Sequence, residues 1–147
     1  MLHYILLLAL FVSTPAAAQA IPDREACAAS AAAYYTVPVD LVRAVLLTEG
    51  GASGTVSRNT NGTRDLGPMQ INSIHLPELA NYGITESALV RDECLNIHVG
   101  AFLLRRALDA EPAFWRGVGR YHSATPTFNR AYQLRVWRNL VRLQSPH

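Results

Sequence analysis

Leu41-Val42-Arg43-Ala44-Val45-Leu46-Leu47-Thr48-Glu49-Gly50-Gly51 is an apolar helical run that ends on a carboxylic acid and then breaks at two glycines. Ten residues on comes Asn59-Thr60-Asn61-Gly62-Thr63-Arg64-Asp65-Leu66-Gly67-Pro68-Met69-Gln70-Ile71-Asn72, rich in turn formers and carrying a second acid, Asp65. At about 100° per residue, Glu49 falls about 40° from Val45 and about 20° from Val42 around the helix axis. It therefore leaves the helix within the apolar stripe. Desolvation there favours the neutral carboxyl and raises its pKa, as a general acid requires. The competing reading is an ordinary helix-end glutamate turned out to water.

Working outward, Asp23 to Tyr35 is Ala-rich and reads as a helix with acids in its first turn, where the helix dipole favours them. Pro38 suits the first position of the next helix, and Gly50-Gly51 its end. Asn61-Gly62 is a hairpin signal, so a small β-ribbon is expected between Gly51 and Gly67. Helical patterning resumes after Met69. Asp92 to Ala110 places Leu95, Val99, Phe102, Leu103 and Ala107 on one buried face. A shorter helix is expected from Pro112 to Tyr121. The last helix is expected to begin at Thr125-Pro126 and to reach about Leu143. Its expected core stripe is Ala131, Leu134, Trp137 and Val141, beside an arginine face of Arg135, Arg138 and Arg142. Trp115 and Trp137 are read as core side chains. The fold class is mostly α: one helical domain with a small β-hairpin excursion.

The first twenty residues read as a secretory signal peptide, with an apolar run from Ile5 to Val12 and a small-x-small site at Ala18-Gln19-Ala20. An uncleaved N-terminal anchor is the alternative. The remaining residues, 21–147, suit a single domain. Export to an oxidising compartment, the periplasm, permits a disulfide between Cys27 and Cys94, and their even number favours it over two free buried thiols.

The chain carries 13 Lys plus Arg, all of them arginine, against 11 Asp plus Glu. The absence of lysine excludes Schiff-base chemistry, a P-loop and a Ser-Lys dyad. A net charge of +2 gives no case for nucleic-acid binding. His75 and His98 lack ligand spacing with Cys or acid, so neither a metal nor another cofactor is expected. His122-Ser123 are adjacent and make no nucleophile–base pair by themselves.

Five blocks in order resemble the lysozyme-like superfamily, and among its members the small lytic transglycosylases that accompany conjugation and secretion machines. They are the Glu49 helix end; Asn59 through Ser73; Leu79 to Gly83 with its Tyr-Gly; Asp92-x-Cys94-x-Asn96-Ile97 leading to Gly100-Ala101; and Trp115 through Gly119-Arg120-Tyr121-His122-Ser123. The likeness spans roughly residues 25 to 135. It implies a lysozyme-like (SLT-type) fold and a peptidoglycan substrate cleaved between N-acetylmuramic acid and N-acetylglucosamine. Glu49 matches the catalytic acid. Met69 and Gln70 match the motif lining the saccharide groove, and Tyr121 matches the tyrosine beside the acid. His122 stands either as a sugar ligand or as a partner of the helix end. Gly67 permits close approach of backbone, and Asn72 is expected to tie the turn together.

Asp65 matches the second carboxylate of animal-type lysozymes, where retaining hydrolysis sets two carboxyl groups about 5 Å apart. The small transglycosylases tend to carry an Asp here too, so two enzymes stay open: a transglycosylase giving a 1,6-anhydro product, and a hydrolytic muramidase. A non-catalytic peptidoglycan-binding module is the third reading. Three positions depart from the family pattern: Gly50 replaces a Ser, Pro68 replaces a Leu or Ile, and Arg120-Tyr121-His122-Ser123-Ala124 stands where Ala-Tyr-Asn-Ala-Gly is usual. Glycan strands are the expected partner, with secretion or conjugation components beside them, and the chain is expected to be a monomer.

Overall fold

The computed structural model describes residues 23–145, so the expected signal peptide lies outside the described residues. The order is α1 (Arg24–Tyr35), α2 (Val39–Glu49), β1 (Val56–Arg58), β2 (Arg64–Leu66) and β3 (Ile71–Asn72). A 3₁₀ turn at Ser73–His75 leads to α3 (Leu76–Ala80), α4 (Glu86–Arg91), α5 (Glu93–Asp109), α6 (Phe114–His122) and α7 (Pro126–Gln144). This is a mostly helical, lysozyme-like domain with a small antiparallel sheet. α5 is central, packing against α1, α4, α6 and β3, while α7 packs on α2 and α6.

Local chemistry sets the boundaries. Asp23 caps α1 by accepting a 2.7 Å bond from the Ala26 N–H, satisfying one of the donors that a helix start leaves free. Asp92 does the same for α5 through Leu95 N–H at 2.9 Å. Pro38 sits one position earlier than expected, as the cap residue of α2. Gly50 ends that helix in a left-handed conformation, its N–H bonded to the Leu46 carbonyl. Thr125 holds the cap position of α7, but its hydroxyl makes no capping bond.

The β excursion is larger than a hairpin. β1 and β2 pair antiparallel with Ser57 opposite Asp65, and β3 adds a third strand with Asn72 opposite Asp65 on its other side. The segment after Met69, expected to start helical patterning, instead pairs with β2 as a short strand whose Ile71 is fully buried opposite Leu66.

α7 is rotated relative to its expected stripe. The side chains facing the core are Asn129, Tyr132 and Val136. Leu134 (57% exposed), Trp137 (50%) and Val141 (43%) point outward, as does Ala131. Trp137 is thus not a core residue. Trp115 is partly buried and packs on the core.

Two long-range ties hold the domain together. Cys27 and Cys94 form a disulfide with Cα atoms 5.2 Å apart, joining α1 to the start of α5 across 67 residues. Closing a loop of that length stabilises a fold by roughly 4 kcal/mol on the chain-entropy account. The second tie is Asn96, fully buried in α5. Its carbonyl accepts from Met69 N–H at 2.8 Å, and its amide donates to the Leu66 and Leu89 carbonyls at 2.8 and 3.0 Å. Gly67 lies so close beneath this amide that a Cβ there would stand 2.5 Å from Asn96 Nδ2, and its φ of +64° is itself a glycine conformation. Asn96→Ala leaves three buried backbone groups without partners. It should cost about 3–5 kcal/mol, read as a lowered midpoint in denaturant unfolding; an unchanged midpoint would refute this role.

Candidate active site

Glu49 ends α2 where the helix abuts α7. Its Oε1 accepts a 2.5 Å hydrogen bond from the Tyr132 hydroxyl, 83 residues away. One residue earlier, Thr48 Oγ1 accepts from Asn139 Nδ2 at 2.9 Å and donates to the Ala44 carbonyl at 2.6 Å. The two helices are thus pinned together at the carboxyl and at the residue before it. Burial pushes the Glu49 carboxyl up to about 7. The Tyr132 hydroxyl and the Arg135 guanidinium pull it down, and Asp65 adds a smaller upward push. The wall that α2 and α7 form together withholds water from the acid.

A cleft of about 260 Å³ opens beside this carboxyl. Glu49 shares its lining with Asp65, Gln70, Tyr121 and His122, all expected from the sequence. Asn59, Asn72 and His75 complete the polar part. Glu49 and Asp65 therefore face one cavity, although they belong to different elements.

The two acids are held differently. Asp65 Oδ2 accepts from Asn59 Nδ2 at 2.9 Å, and Oδ1 accepts from Asn72 Nδ2 at 2.7 Å. Asn59 and Asn72 also reach Thr63 Oγ1, at 3.0 and 3.1 Å. Asp65 is the hub of the amide network that joins the three strands. Asn72 has the turn-tying role expected of it, since it also caps the following 3₁₀ turn through Ile74 N–H.

The remaining expected residues divide. The Gln70 side chain lines the cleft, adopts a positive φ of 49°, and donates to the Gly67 carbonyl at 2.8 Å. A non-glycine residue in that region costs of order 1 kcal/mol and persists where its surroundings over-determine it. The Met69 side chain departs from expectation. It is fully buried and fills the space that the missing Cβ of Gly100 leaves free. Met69 meets the site through its carbonyl, which accepts from the Tyr121 hydroxyl at 2.9 Å. Tyr121 thereby fastens α6 to the strand loop. The His122 ring lies parallel to that of Tyr132 at 5.0 Å between centroids. Burial and Arg135 push His122 below the usual imidazole range, so it presents a neutral ring to the cleft at neutral pH.

Tyr132 was not among the expected residues. Its ring is fully buried, and burial beside Glu49 pushes the phenol well above its ordinary value. It stays a hydrogen-bond donor throughout the working range. The signal for it was present: Tyr132, Val136 and Leu140 recur at i, i+4, i+8, with Asn129 one turn before. That stripe runs opposite the one formed by Leu134, Trp137 and Val141, and both have helical period.

Residues 26–138 match the family described as Transglycosylase SLT domain. The chain is similar to Invasion protein IagB of Salmonella typhimurium, with 30% identity over 80% of this chain and 77% of the relative. It is similar to Protein IpgF of Shigella flexneri, with 31% identity over 81% and 79%. It is also similar to X polypeptide of Escherichia coli, with 33% identity over 69% and 61%. With the cleft, its acid and a match across most of its length, the chain belongs to the transglycosylase SLT domain family.

Proposed function

We propose that the chain is a lytic transglycosylase that cleaves the β-1,4 bond between N-acetylmuramic acid and N-acetylglucosamine in peptidoglycan. The observation that carries this reading is Glu49: a carboxyl at a cleft wall, raised to about 7 by burial and held by Tyr132. A protonated Glu49 gives its proton to the glycosidic oxygen as the C1–O bond breaks. The resulting carboxylate then takes the proton of the muramic acid C6 hydroxyl as that oxygen bonds to C1. The products are a 1,6-anhydro end and a free N-acetylglucosamine hydroxyl. No water is consumed, and one acid/base suffices.

In this reading Gln70 and His122 contact sugar, Tyr121 and Tyr132 position the groove and the acid, and Asp65 supports the sheet. Because one relative is named an invasion protein, we place the enzyme in the periplasm, opening the wall locally for a secretion or conjugation machine. Among the described residues no helix is long and apolar enough to cross a membrane. A hydrolytic muramidase is the second reading, favoured by Asp65 lining the same cleft as Glu49. Mass spectrometry of released muropeptides decides: anhydro ends support transglycosylation, and reducing ends would transfer the assignment to hydrolysis.

Glu49→Gln should lower cleavage of purified peptidoglycan at least 100-fold while retaining binding to it; full activity in that variant would end the proposal. Its stability should also change with a defined sign. The folded carboxyl is raised above its ordinary 4.5 to about 7, so its stabilising neutral form is complete below about 4.5 and lost as pH rises through about 7. Glu49→Gln should therefore be more stable than the wild type at pH 8, by at most about 3 kcal/mol in denaturant unfolding, with the gap narrowing towards pH 4.

Tyr132→Phe removes a bond that lowers the Glu49 pKa. The alkaline limb of the pH–rate profile should move upward while the rate falls roughly ten- to a hundredfold. An unmoved limb would show that Tyr132 serves packing alone.

A further inference from the structure

The cleft does not end at Tyr121. A second hollow of about 250 Å³ adjoins it, and His75, Leu103 and Tyr121 line both. α5 supplies the floor. Leu103, Arg106, Ala107 and Ala110 fall within about 100° of one another around the helix axis, over a length of about 10 Å. The two alanines leave space that larger side chains would fill, and α6 faces them with Arg120.

The two compartments carry opposite charge. The first is lined by the acids Glu49 and Asp65, the second by Arg106 and Arg120. His75 stands at the junction, where burial and Arg106 push it below the usual imidazole range, so it adds no charge at neutral pH.

Both arginines are held from behind. Arg106 Nη1 donates to the two oxygens of Glu78 on α3, at 2.6 and 2.7 Å, and its guanidinium lies 5.3 Å from the Phe102 ring centroid. Arg120 Nη1 donates to Glu111 Oε1 at 3.0 Å, and Glu111 also pairs with Arg116. Three arginines against two acids leave one positive charge in excess. More telling is which atoms the acids use. Each occupies Nη1 alone, so the Nε–Nη2 edges of Arg106 and Arg120 have no protein partner among the described residues. That edge carries two parallel N–H groups and fits a carboxylate. Elsewhere in this molecule it holds one: Arg64 binds Glu86 through Nε and Nη2 at 2.9 and 2.7 Å.

The sugar backbone of peptidoglycan is N-acetylated and uncharged, so it offers nothing to a basic hollow. Its carboxylates belong to the peptide that muramic acid carries on its lactyl group, on the same sugar whose C1–O bond is cleaved. Extended peptide covers about 3.4 Å per residue, so about three residues span the hollow. Resting on the peptidoglycan reading above, we propose that this hollow is a subsite for the peptide borne by muramic acid, with the free edges of Arg106 and Arg120 binding its carboxylates. The enzyme then selects peptide-bearing stretches of glycan over bare ones.

The test offers soluble glycan oligomers in three forms: with intact peptides, stripped of peptides by an amidase, and with the peptide carboxylates converted to amides. The wild type should cleave the first with a kcat/KM at least tenfold above either of the others, the difference lying in KM. Arg106→Gln/Arg120→Gln should bring that ratio close to one. The ratio is taken within one preparation, so a partly unfolded variant does not imitate the result. Equal cleavage of intact and stripped glycan by the wild type, or full preference in the double variant, would overturn the subsite and leave the transglycosylase reading standing. A preference that survives amidation would overturn the carboxylate contact. Cleavage of none of the three forms would end the peptidoglycan reading, and this proposal with it.

Discussion

A carboxyl held out of water against a phenol sets the terms for the rest of this molecule. Glu49 and Tyr132 are far apart in sequence and meet because α2 and α7 pack along their length. Burial raises the carboxyl to about 7, so its ionised form is held at a cost that the surrounding contacts must offset. The Thr48–Asn139 bond lies beside it and pins the same pair of helices. Asn129 fixes the turn before α7 by donating to the Arg116 and Ser123 carbonyls at 3.1 Å. A displacement of α7 by one ångström would lengthen the Tyr132 bond beyond hydrogen-bonding range or crush it. The polar pins along this seam therefore serve the carboxyl as much as they serve the fold.

The opposite wall of the cleft follows another design. There the backbone is irregular, and a buried irregular segment needs a partner for every polar group. Asn96 satisfies three such groups from inside the helix core, and the Asp65–Asn59–Asn72 network satisfies the strand side chains from above. Asp65 is consequently tied by its two oxygens to the β1–β2 turn and to β3, while Glu49 accepts from Tyr132 on α7. The carboxyl that burial raises to about 7 is the one that accepts from the α7 phenol. That difference supports the proposal that Glu49 acts on substrate while Asp65 holds the sheet.

Where a sequence signal rested on one local rule, it was legible. The end of α2 was set by a glycine that adopts the left-handed conformation, and the phase of Glu49 followed from its distance to Val45 and Val42. α5 declared its buried face only in part: Val99, Leu103 and Ala107 are buried, but Leu95 and Phe102 are half-buried, and Ile97, Ala101, Leu104 and Leu108 are buried too because this central helix is packed on several sides. α7 did not, because it carries two apolar stripes about half a turn apart. The stripe richer in large hydrophobic residues, with Leu134 and Trp137, is the exposed one, whereas the core stripe contains Asn129 and a tyrosine hydroxyl. Burial was decided by polar partners on other elements, Glu49 and the end of α6, and no helical periodicity reports those. The same reason hid Asn96, whose position in a helix gives no hint of the carbonyls it meets. Met69 was misplaced for a third reason: its motif is shared with groove-lining residues, but the space left by Gly100, 31 positions later, draws its side chain into the core.

The misread stripe sits on the helix that holds the acid. In a small domain, exposed apolar surface normally carries a solubility cost. α7 could have had a polar outer face at no loss to Tyr132, Val136 or the seam with α2. Instead Leu134, Trp137 and Val141 face outward. A rigid helix fixes the angle between its faces, so the outward stripe keeps one relation to the face through which Tyr132 holds the acid.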